Sequence, residues 1–505
     1  MVNLGNLLQI KNGEKVSRED IPQVSFTDFS KTLTDVADNN GYIVQFFAYK
    51  DGETIKLLAV VRQDAKLYVV GCEVEKSFPS LTARNEKFHM FEREIAEQYG
   101  IKPENHPWLK MVRYHANSQD NPDVFGNSYK EDIPGNYPYF TVEGEDIHEV
   151  AVGPVHAGII EPGHFRFQCI GEIVLHLEIQ LGYQHRGVEK MLPTVGKKRL
   201  PIICESIAGD TAIGHNLCHC QAIESLGDLQ VDDGAHIVRT IALELERIAN
   251  HVGDLGALSG DVAFNPPAAY FGRLRGEFLN LLQVLCGNRF GKGLVRPGGV
   301  AFVVGSEQRK LILDKINETR PELEHVCDLL FSAHTVLARF EHTGTVPQER
   351  AEALGLVGYA GRASGIGYDA RVTFPTESYG DLPPNVNSMT KGDVCSRGMV
   401  RREEIMHSLD LIETLVQRQE ETERVFMKDY ELAPSSFVVT LNEGWRGEVS
   451  HCILTDDKGK IQRYKVKDPS FHNWTGLAMS LRDEEISDFP LCNKSFNLSY
   501  CGFDL

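Results

Sequence analysis

The stretch HFRFQCIGEIVLHLEIQLG (residues 164–182) marks the point where the chain changes from a β-rich to a helical pattern. Polar and apolar residues alternate along it, as in strands with one buried face. We therefore predict a large C-terminal domain, residues 148–505, formed mainly of helices with a small β-sheet at one side. The helical segments are AHIVRTIALELERIANHVGDLGAL (235–258), LRGEFLNLLQVLCGNRFG (274–291) and RREEIMHSLDLIETLVQRQEETERVF (401–426), and a late hairpin is predicted in WRGEVSHCILTDDKGKIQRYKVKD (445–468) with its turn at 456–459.

A smaller unit, residues 1–115, precedes this domain. Three β-rich runs separated by turn residues predict an antiparallel sheet, and FHMFEREIAEQYG (88–100) predicts an amphipathic helix that ends at its glycine. Residues 116–147 are rich in Asn, Asp, Pro and Gly, which is the composition of a linker. The fold class is therefore α+β, with two domains. The three runs are YIVQFFAYK (42–50), TIKLLAVVR (54–62) and KLYVVGCEV (66–74).

Charge and hydropathy exclude several classes of function. The 505 residues carry 52 Lys and Arg against 71 Asp and Glu, a net charge of −19, which argues against nucleic-acid binding and against docking on anionic lipid. No apolar run is long enough to cross a bilayer. MVNLGNLLQIKNGEK (1–15) lacks the basic-then-apolar order of a signal peptide, so we expect a protein in, or facing, the cytoplasm. A membrane-embedded partner protein is compatible with all of this.

Cysteine spacing argues against a metal cluster within this chain. The 11 cysteines include no pair in CxxC spacing, which zinc ribbons, ferredoxin-type clusters and dithiol redox sites usually need. Cys218-His219-Cys220 lies in a helical pattern, where residues two apart point about 200° away from each other. Both thiols cannot reach one metal, so we predict two small core residues around a packed histidine. Nucleotide-binding glycine motifs, zinc HExxH and the GxSxG elbow are missing from the sequence.

Longer stretches carry a family resemblance. SFPSLTARNEKFHMFEREIAEQYGIKPENHPWL (77–109) resembles the 30-kDa subunit of complex I through its Pro-Ser-Leu-Thr, its FEREI helix and its Gly-Ile followed by His-Pro. VGPVHAGIIEPGHFRFQCIGE (152–172) and LGYQHRGVEKM (181–191) resemble the opening of the complex I 49-kDa subunit, which is related to the large subunit of [NiFe] hydrogenases. Further matching stretches are LELERIANHVGDLGALSGD (243–261), NRFGKGLVRPGGV (288–300), GRASGIGYDAR (361–371) and GDVCSRGMVRREEI (392–405), and EPGHFRF with the C-terminal DFPLCNKSFNLSY is similar to group 4, membrane-bound hydrogenases.

The resemblance implies a place in a membrane complex. It implies a hydrogenase-large-subunit-like domain in the peripheral arm, at the cytoplasmic face of the membrane. The implied partners are a small subunit with a [4Fe–4S] cluster, ferredoxin-like electron-transfer subunits and antiporter-like membrane subunits. The chain itself is expected to bind no cofactor, with quinone left open.

A [NiFe] centre needs four thiolates from two CxxC pairs, because soft sulfur ligands hold nickel and bridge it to iron. Aligned with the hydrogenases, this chain has Ala208 and Thr211 at the first pair and Ser499 and Gly502 at the second. We call these four the former ligand positions. The resemblance therefore implies a metal site that has lost its ligands.

The quinone site of complex I is matched only in part. The family's quinone-binding Tyr aligns with Gly209, whereas its His aligns with His164, or with His156 across a longer loop, and its Asp with Asp261. Quinone reduction therefore stays an alternative, as part of an NADH or ferredoxin dehydrogenase of the complex I type.

Two basic residues are matched to positions that face the partner's iron–sulfur cluster. They are Arg186, in the HRG motif, and Lys292, where complex I has a proton-coupled His. Ordinary structural roles are the alternative: Arg186 could pair with Glu189 or a backbone carbonyl, and Asp261 could cap a helix.

The lining of the former metal site is expected to be polar and rich in acids. Buried carboxylates near histidines have raised and coupled pKa values, which suits proton transfer. We therefore predict an oxidoreductase subunit that lacks nickel, accepts electrons from a partner's cluster and couples to proton movement. A structural or coupling subunit without redox chemistry, and a hydrogenase with an unusual ligand set, are the remaining alternatives. The predicted lining residues are Glu205, Asp210, Thr211, His215, His164, Asp261 and Ser499.

Overall fold

A computed structural model describes residues 4–114, 124–125, 139–156, 158, 160–418 and 429–505. Helices and strands are mixed throughout, which confirms the predicted α+β class. Within the described residues, no helix is both long enough and apolar enough to span a membrane.

The N-terminal part is a mostly antiparallel sheet with two helices packed against it. The three predicted strands pair in sequence order within one residue of their expected bounds, and strand order in the sheet is β1-β6-β5-β4, with β3 parallel to β6. Helix α2 ends at Gly100, whose φ of 63° is the left-handed conformation that glycine adopts without strain. The elements are β1 (Leu8–Ile10), β2 (Val16–Ser17), β3 (Gln23–Val24), α1 (Phe26–Asp38), β4 (Tyr42–Asp51), β5 (Thr54–Gln63), β6 (Lys66–Val74), β7 (Ser77–Pro79), α2 (His89–Tyr99) and β8 (Lys102–Glu104).

The stretch 164–182 forms a hairpin. Strands β10 (His164–Ile170) and β11 (Ile173–Gln180) pair antiparallel, and β9 (Ile147–Val152) lies on the other side of β10. Phe165, Phe167 and Cys169 alternate on the buried face of β10, as the sequence pattern predicts.

Long helices make up most of the chain between this hairpin and the C-terminal sheet. Helix α6 packs against α7 and α13, and α8 packs against α7 and α13. The predicted helix 401–426 is described to Arg418; its remainder lies outside the described residues. The elements are α3 (Val188–Met191), α4 (Leu200–Cys204), α5 (Ala212–Leu226), α6 (Asp233–Asp261), α7 (Asn265–Cys286), β12 (Val295–Arg296), β13 (Gly299–Val300), α8 (Ser306–Ser332), α9 (His334–Phe340), α10 (Gln348–Leu354), α11 (Gly358–Ala363), α12 (Ala370–Thr373) and α13 (Val394–Arg418).

A second antiparallel sheet closes the chain and carries the predicted late hairpin. Strands β15 and β16 pair across the expected turn, and β14 and β15 pack on α5. The elements are β14 (Ser436–Gly444), β15 (Gly447–Thr455), β16 (Ile461–Lys467), α14 (Ser470–Ser480), α15 (Phe489–Phe496) and α16 (Tyr500–Phe503).

The N-terminal segment extends this second sheet. Strand β2 pairs with the outer edge of β14, and the side chain of Asn12 exchanges hydrogen bonds with the backbone of Leu441. Buried Lys465 donates to both Glu94 (2.9 Å) and Glu189 (2.7 Å), so an acid from each part of the chain shares one cation. The predicted linker, 116–147, falls largely outside the described residues, and the division at 115 and 148 stays a prediction.

Candidate functional site

The loop that joins α4 to α5 carries the first two former ligand positions. Ala208 and Thr211 are both buried, and Thr211 directly precedes the first turn of α5. Glu246 on α6 holds that turn, because its carboxylate accepts from the backbone N–H of Ile213 (2.7 Å) and Gly214 (3.1 Å). Burial raises the pKa of Glu246 to about 8 although both bonds oppose the shift. The first turn of α5 is therefore bound to a buried carboxyl group that is mostly protonated near pH 7.

The C-terminus carries the other two positions. Ser499 caps α16, and its Oγ accepts from the N–H of Gly502 at 2.9 Å. A Cβ atom at Gly502 would lie 2.7 Å from both Cγ and Oδ2 of Asp468, which is well inside van der Waals contact. A cysteine at this position would therefore meet the Asp468 carboxylate.

The residues present do not fit a nickel centre. Alanine and glycine offer no donor atom from a side chain, and the two hydroxyls are hard oxygen ligands rather than soft thiolates. Among the described residues, no group of three or more His, Cys, Asp or Glu side chains is placed to hold a metal ion. The neighbouring thiol of Cys501 is protonated near neutral pH, since burial raises its pKa to about 11.

Asp210 is paired with an arginine that the sequence analysis missed. Its two carboxylate oxygens accept from Nη1 (2.6 Å) and Nη2 (2.7 Å) of buried Arg446, and its backbone carbonyl accepts from Nε1 of Trp445. Arg446 also donates to the carbonyl of Asn497, so it joins the loop to the C-terminal segment. The predicted acid-rich lining is therefore largely neutralised at this point.

His215, also predicted, is fully buried between two polar partners. Its Nε2 lies 3.0 Å from Oδ2 of Asp468, and its Nδ1 lies 3.1 Å from Nε2 of His451. Burial opposes ionisation of Asp468, but the hydrogen bond with His215 and the nearby Arg446 outweigh it, and the pKa of the carboxyl is lowered. Asp468 is thus held as a carboxylate beside Gly502.

Glu205 accepts a hydrogen bond from α5 and lies close enough to Lys292 for their charges to interact. Oε1 of Glu205 accepts from the N–H of Gly293 (2.7 Å), from Nη1 of Arg296 (3.1 Å) and from Nδ2 of Asn216 (3.2 Å). Burial nevertheless raises the pKa of Glu205, and the positive charge of Lys292 works against that shift.

Arg186 binds backbone carbonyls. Its guanidinium donates to the carbonyls of Ser206 (2.7 Å) and Ile207 (2.8 Å) and reaches that of Cys501 (3.5 Å). Glu189, the other partner considered for it, binds Lys465 and Arg463 instead. Arg186 therefore fastens the 206–211 loop to the C-terminal segment.

The two candidate quinone histidines hold the base of the loop between β9 and β10. Nε2 of His156 lies 2.9 Å from the carbonyl of Gly163, and Nδ1 of His164 lies 3.2 Å from the carbonyl of Gly153. Burial lowers the pKa of His164. Glu161, in the same loop, accepts from the N–H of Cys501, so this loop reaches the C-terminal segment.

Asp261 stands apart from the other candidates. It is the exposed last residue of α6, near Lys494, and no hydrogen bond of the described residues joins it to the lining. The structure thus brings together the 206–211 loop, His215, Ser499 and the loop of His164, but not Asp261.

Sequence reasoning missed the polar side chains that the C-terminal sheet contributes. Arg446, His451, Tyr464 and Asp468 all lie in the stretch 445–468 that is predicted as a hairpin, and Asp468 directly follows its last strand, β16. These residues could have been noticed because they are polar at strand positions where the alternation of polar and apolar residues predicts apolar side chains.

Two protein families match the chain in sequence. Residues 22–123 match the 30 Kd subunit of respiratory-chain NADH dehydrogenase, and residues 261–436 and 423–504 match its 49 Kd subunit. Fold and matches together define an oxidoreductase subunit of the complex I and hydrogenase class, in which both subunit types are fused.

The individual relatives of the chain include hydrogenase subunits. The chain is 31% identical to membrane-bound hydrogenase subunit alpha of Pyrococcus furiosus over 69% of its own length and 85% of the relative's. It is 27% identical to hydrogenase-4 component G of Escherichia coli, over 85% and 76% of the two lengths. A chain of the membrane-bound sulfane sulfur reductase, an archaeal respiratory membrane complex, superposes with a TM-score of 0.67 at 22% identity, over 73% of this chain and all of that one. The chain belongs to the family of complex I 49-kDa subunits and group 4 hydrogenase large subunits.

Proposed function

We propose that this chain is the large peripheral-arm subunit of a membrane-bound, ion-translocating oxidoreductase complex that works without a nickel–iron centre. Electrons reach it from a [4Fe–4S] cluster in an adjacent small subunit, which a ferredoxin-like subunit supplies, and their arrival is coupled to proton movement toward antiporter-like membrane subunits. The chain lies on the cytoplasmic face of the membrane. The relatives are subunits of membrane-bound hydrogenases and of NADH-quinone oxidoreductases, which supports the assembly.

The side chains at the former ligand positions carry this proposal. Ala208, Thr211, Ser499 and Gly502 supply no thiolate, and Asp468 fills the space that a side chain at 502 would need. Buried acids and histidines surround these positions, with Glu246 largely neutral and Asp468 ionised at neutral pH. Such an arrangement can store and pass protons, whereas it cannot bind nickel through sulfur.

Metal content and hydrogen chemistry of the intact complex test the proposal. We expect iron from the partner's clusters, nickel far below one atom per complex, and no hydrogen evolution with reduced methyl viologen. The membrane-bound hydrogenase of Pyrococcus furiosus, purified and assayed in the same way, is the positive control. One nickel per complex, or hydrogen evolution at a rate comparable to the control, would establish a hydrogenase with an unusual ligand set instead.

Quinone reduction is the second candidate, and one observation favours it. A Cβ atom at Gly209, the position matched to the quinone-binding Tyr, would have no atom within 4 Å, so there is room beside the loop. His164 and Asp261 are the proton donors in this version. Inhibition of electron transfer by a quinone analogue that is weakened in both His164→Gln and Asp261→Asn would support this version, and inhibition that is unchanged in both variants would contradict it.

A coupling subunit without redox chemistry is the third version. Full proton pumping by a complex whose Glu205, Asp210 and Glu246 are all replaced by their amides would exclude a proton relay through these acids. Loss of pumping with unchanged electron transfer would place the coupling here.

A further inference from the structure

Five buried side chains form one continuous line of hydrogen bonds beneath the 206–211 loop. From Asp468 the line passes through His215 to His451, and from Nδ1 of His451 to the hydroxyl of Tyr464 at 2.9 Å. The same hydroxyl lies 3.0 Å from Nδ1 of His219. All five are at most 1% exposed. We call Asp468, His215, His451, Tyr464 and His219 the histidine chain.

The protons of the histidine chain can be arranged in two complete ways. If His215 is neutral, its Nε2–H donates to Asp468 and every other donor then points toward Asp468, ending with Nδ1–H of His219 on the Tyr464 oxygen. If His215 carries an extra proton, its Nδ1–H donates to Nε2 of His451. The Nδ1–H of His451 then donates to the Tyr464 oxygen, and the Tyr464 hydroxyl donates to Nδ1 of His219, whose own proton is on Nε2. The two arrangements differ by one proton, which is the difference between the two states of a relay.

The two ends of the line differ in their surroundings. Asp468 lies against Gly502, at the former ligand positions. At the other end, Nε2 of His219 is buried and has no hydrogen-bond partner among the described residues. Arg296 is the charged group that faces His219, and its side chain, 24% exposed, pairs with Glu205. The line thus runs from a buried histidine that faces the partly exposed Arg296 to the former metal site.

The pKa shifts along the histidine chain favour the transfer of a proton over its storage. Burial lowers the pKa of His219 to about 3, with Arg296 adding to the effect, and burial with His215 and His219 lowers that of His451 well below its usual range. Glu189 favours the charged form of His451 but does not outweigh burial. Tyr464 is kept as a phenol, because burial and the neighbouring thiols, Cys204 first among them, raise its pKa. His219, His451 and Tyr464 are therefore neutral near pH 7, and Asp468 is the acceptor.

We propose that the histidine chain is a proton relay that delivers protons to the former metal site, a role that rests on the proton coupling proposed above. One proton binds Nε2 of His219, and the proton on its Nδ1 moves to the Tyr464 oxygen. The phenol proton moves to Nδ1 of His451, the Nε2 proton of His451 to Nδ1 of His215, and the Nε2 proton of His215 to Asp468. Four N–H or O–H bonds break and five form, the fifth being that of the incoming proton, and nothing is oxidised or reduced.

Proton uptake on reduction of the intact complex tests the relay. The detergent-solubilised complex, in weakly buffered solution with a pH-indicating dye, is mixed with reduced methyl viologen, and cluster reduction is followed in parallel by absorbance. Tyr464→Phe removes one hydroxyl from the line and keeps the ring. We expect it to slow proton uptake about a hundredfold while electrons enter at the rate of the unchanged protein. Tyr379→Phe is the matched control, because the hydroxyl of Tyr379 is also buried but binds Glu244, outside the line.

The outcomes separate the relay from the proposed function. Unchanged uptake in Tyr464→Phe overturns the relay and leaves proton coupling standing. Wild-type complex that takes up no proton on reduction overturns both. If Tyr464→Phe does not assemble, His219→Gln serves instead, since an amide can occupy the end of the line but cannot pass a proton on; equal slowing in Tyr379→Phe would also count against the relay.

Discussion

Adding a single methyl group at Gly502 tests the geometry of the former metal site. The new Cβ would lie 2.7 Å from Cγ of Asp468, whereas carbon atoms pack best at about 3.5 Å, so about 0.8 Å must be made by movement. Overpacking of this kind destabilises proteins by about 1–3 kcal/mol. Displacing Asp468 also weakens its charged hydrogen bond with His215, which adds about 1.5–3 kcal/mol. Allowing for the smaller backbone entropy that alanine has in the unfolded chain, about 0.4–1 kcal/mol, we expect Gly502→Ala to lower stability by about 1.5–5.5 kcal/mol.

Gly209→Ala is the matched control. It adds the same methyl group on the other side of the site, where no atom lies within 4 Å. Its expected effect lies between zero and a gain of about 1 kcal/mol. Urea unfolding of the isolated chain, followed by tryptophan fluorescence, compares the two midpoints. A Gly502→Ala midpoint equal to or above that of Gly209→Ala would show that Asp468 does not fill this space.

Two further substitutions examine the acids of the site. Asp210→Asn removes the carboxylate that pairs with buried Arg446 and should lower the free energy of unfolding by about 1–3 kcal/mol. The control is Asp228→Asn, in the exposed pair with Lys15, which should lower it by less than about 1 kcal/mol. Equal losses in the two variants would contradict the structure. Glu246 has a folded pKa of about 8, above its ordinary 4.5, so the folded state binds the proton more tightly and stability falls as pH rises between these values. Glu246→Gln should flatten that fall in unfolding measured from pH 5 to 9, and an unchanged slope would contradict the assignment.

The fold could be predicted well because its elements follow simple periodicities. The stretch 164–182 alternates and forms a hairpin, and the turn at 456–459 lies between two paired strands as predicted. The segments 235–258 and 274–291 repeat every three to four residues; the first is helical throughout, whereas the second is helical only to Cys286, because Gly287 ends α7 in the left-handed conformation. These features are local, so one sequence contains them.

The site could be predicted only on its α4–α5 side. The loop residues and His215 are neighbours in sequence, whereas their partners Arg446, His451 and Asp468 are more than two hundred residues away and share no spacing with them. The position of Asp261 could not be predicted for a similar reason. Its match to the family gives its place in the sequence, but only the length of α6 shows that it lies at the exposed end of that helix.

The short pairing of β2 with β14 has a consequence for any attempt to separate the two parts of the chain. Val16 and Ser17 cover the backbone of Phe437 and Ser436, so a gene that encoded the second part alone would leave this strand edge open to neighbouring molecules. In the fused chain β2 is synthesised before β14, and each β14 has its own β2. The edge of β14 can therefore be paired as soon as that strand forms. Genetic separation of the two parts would therefore leave the edge of β14 unpaired and free to bind other strands.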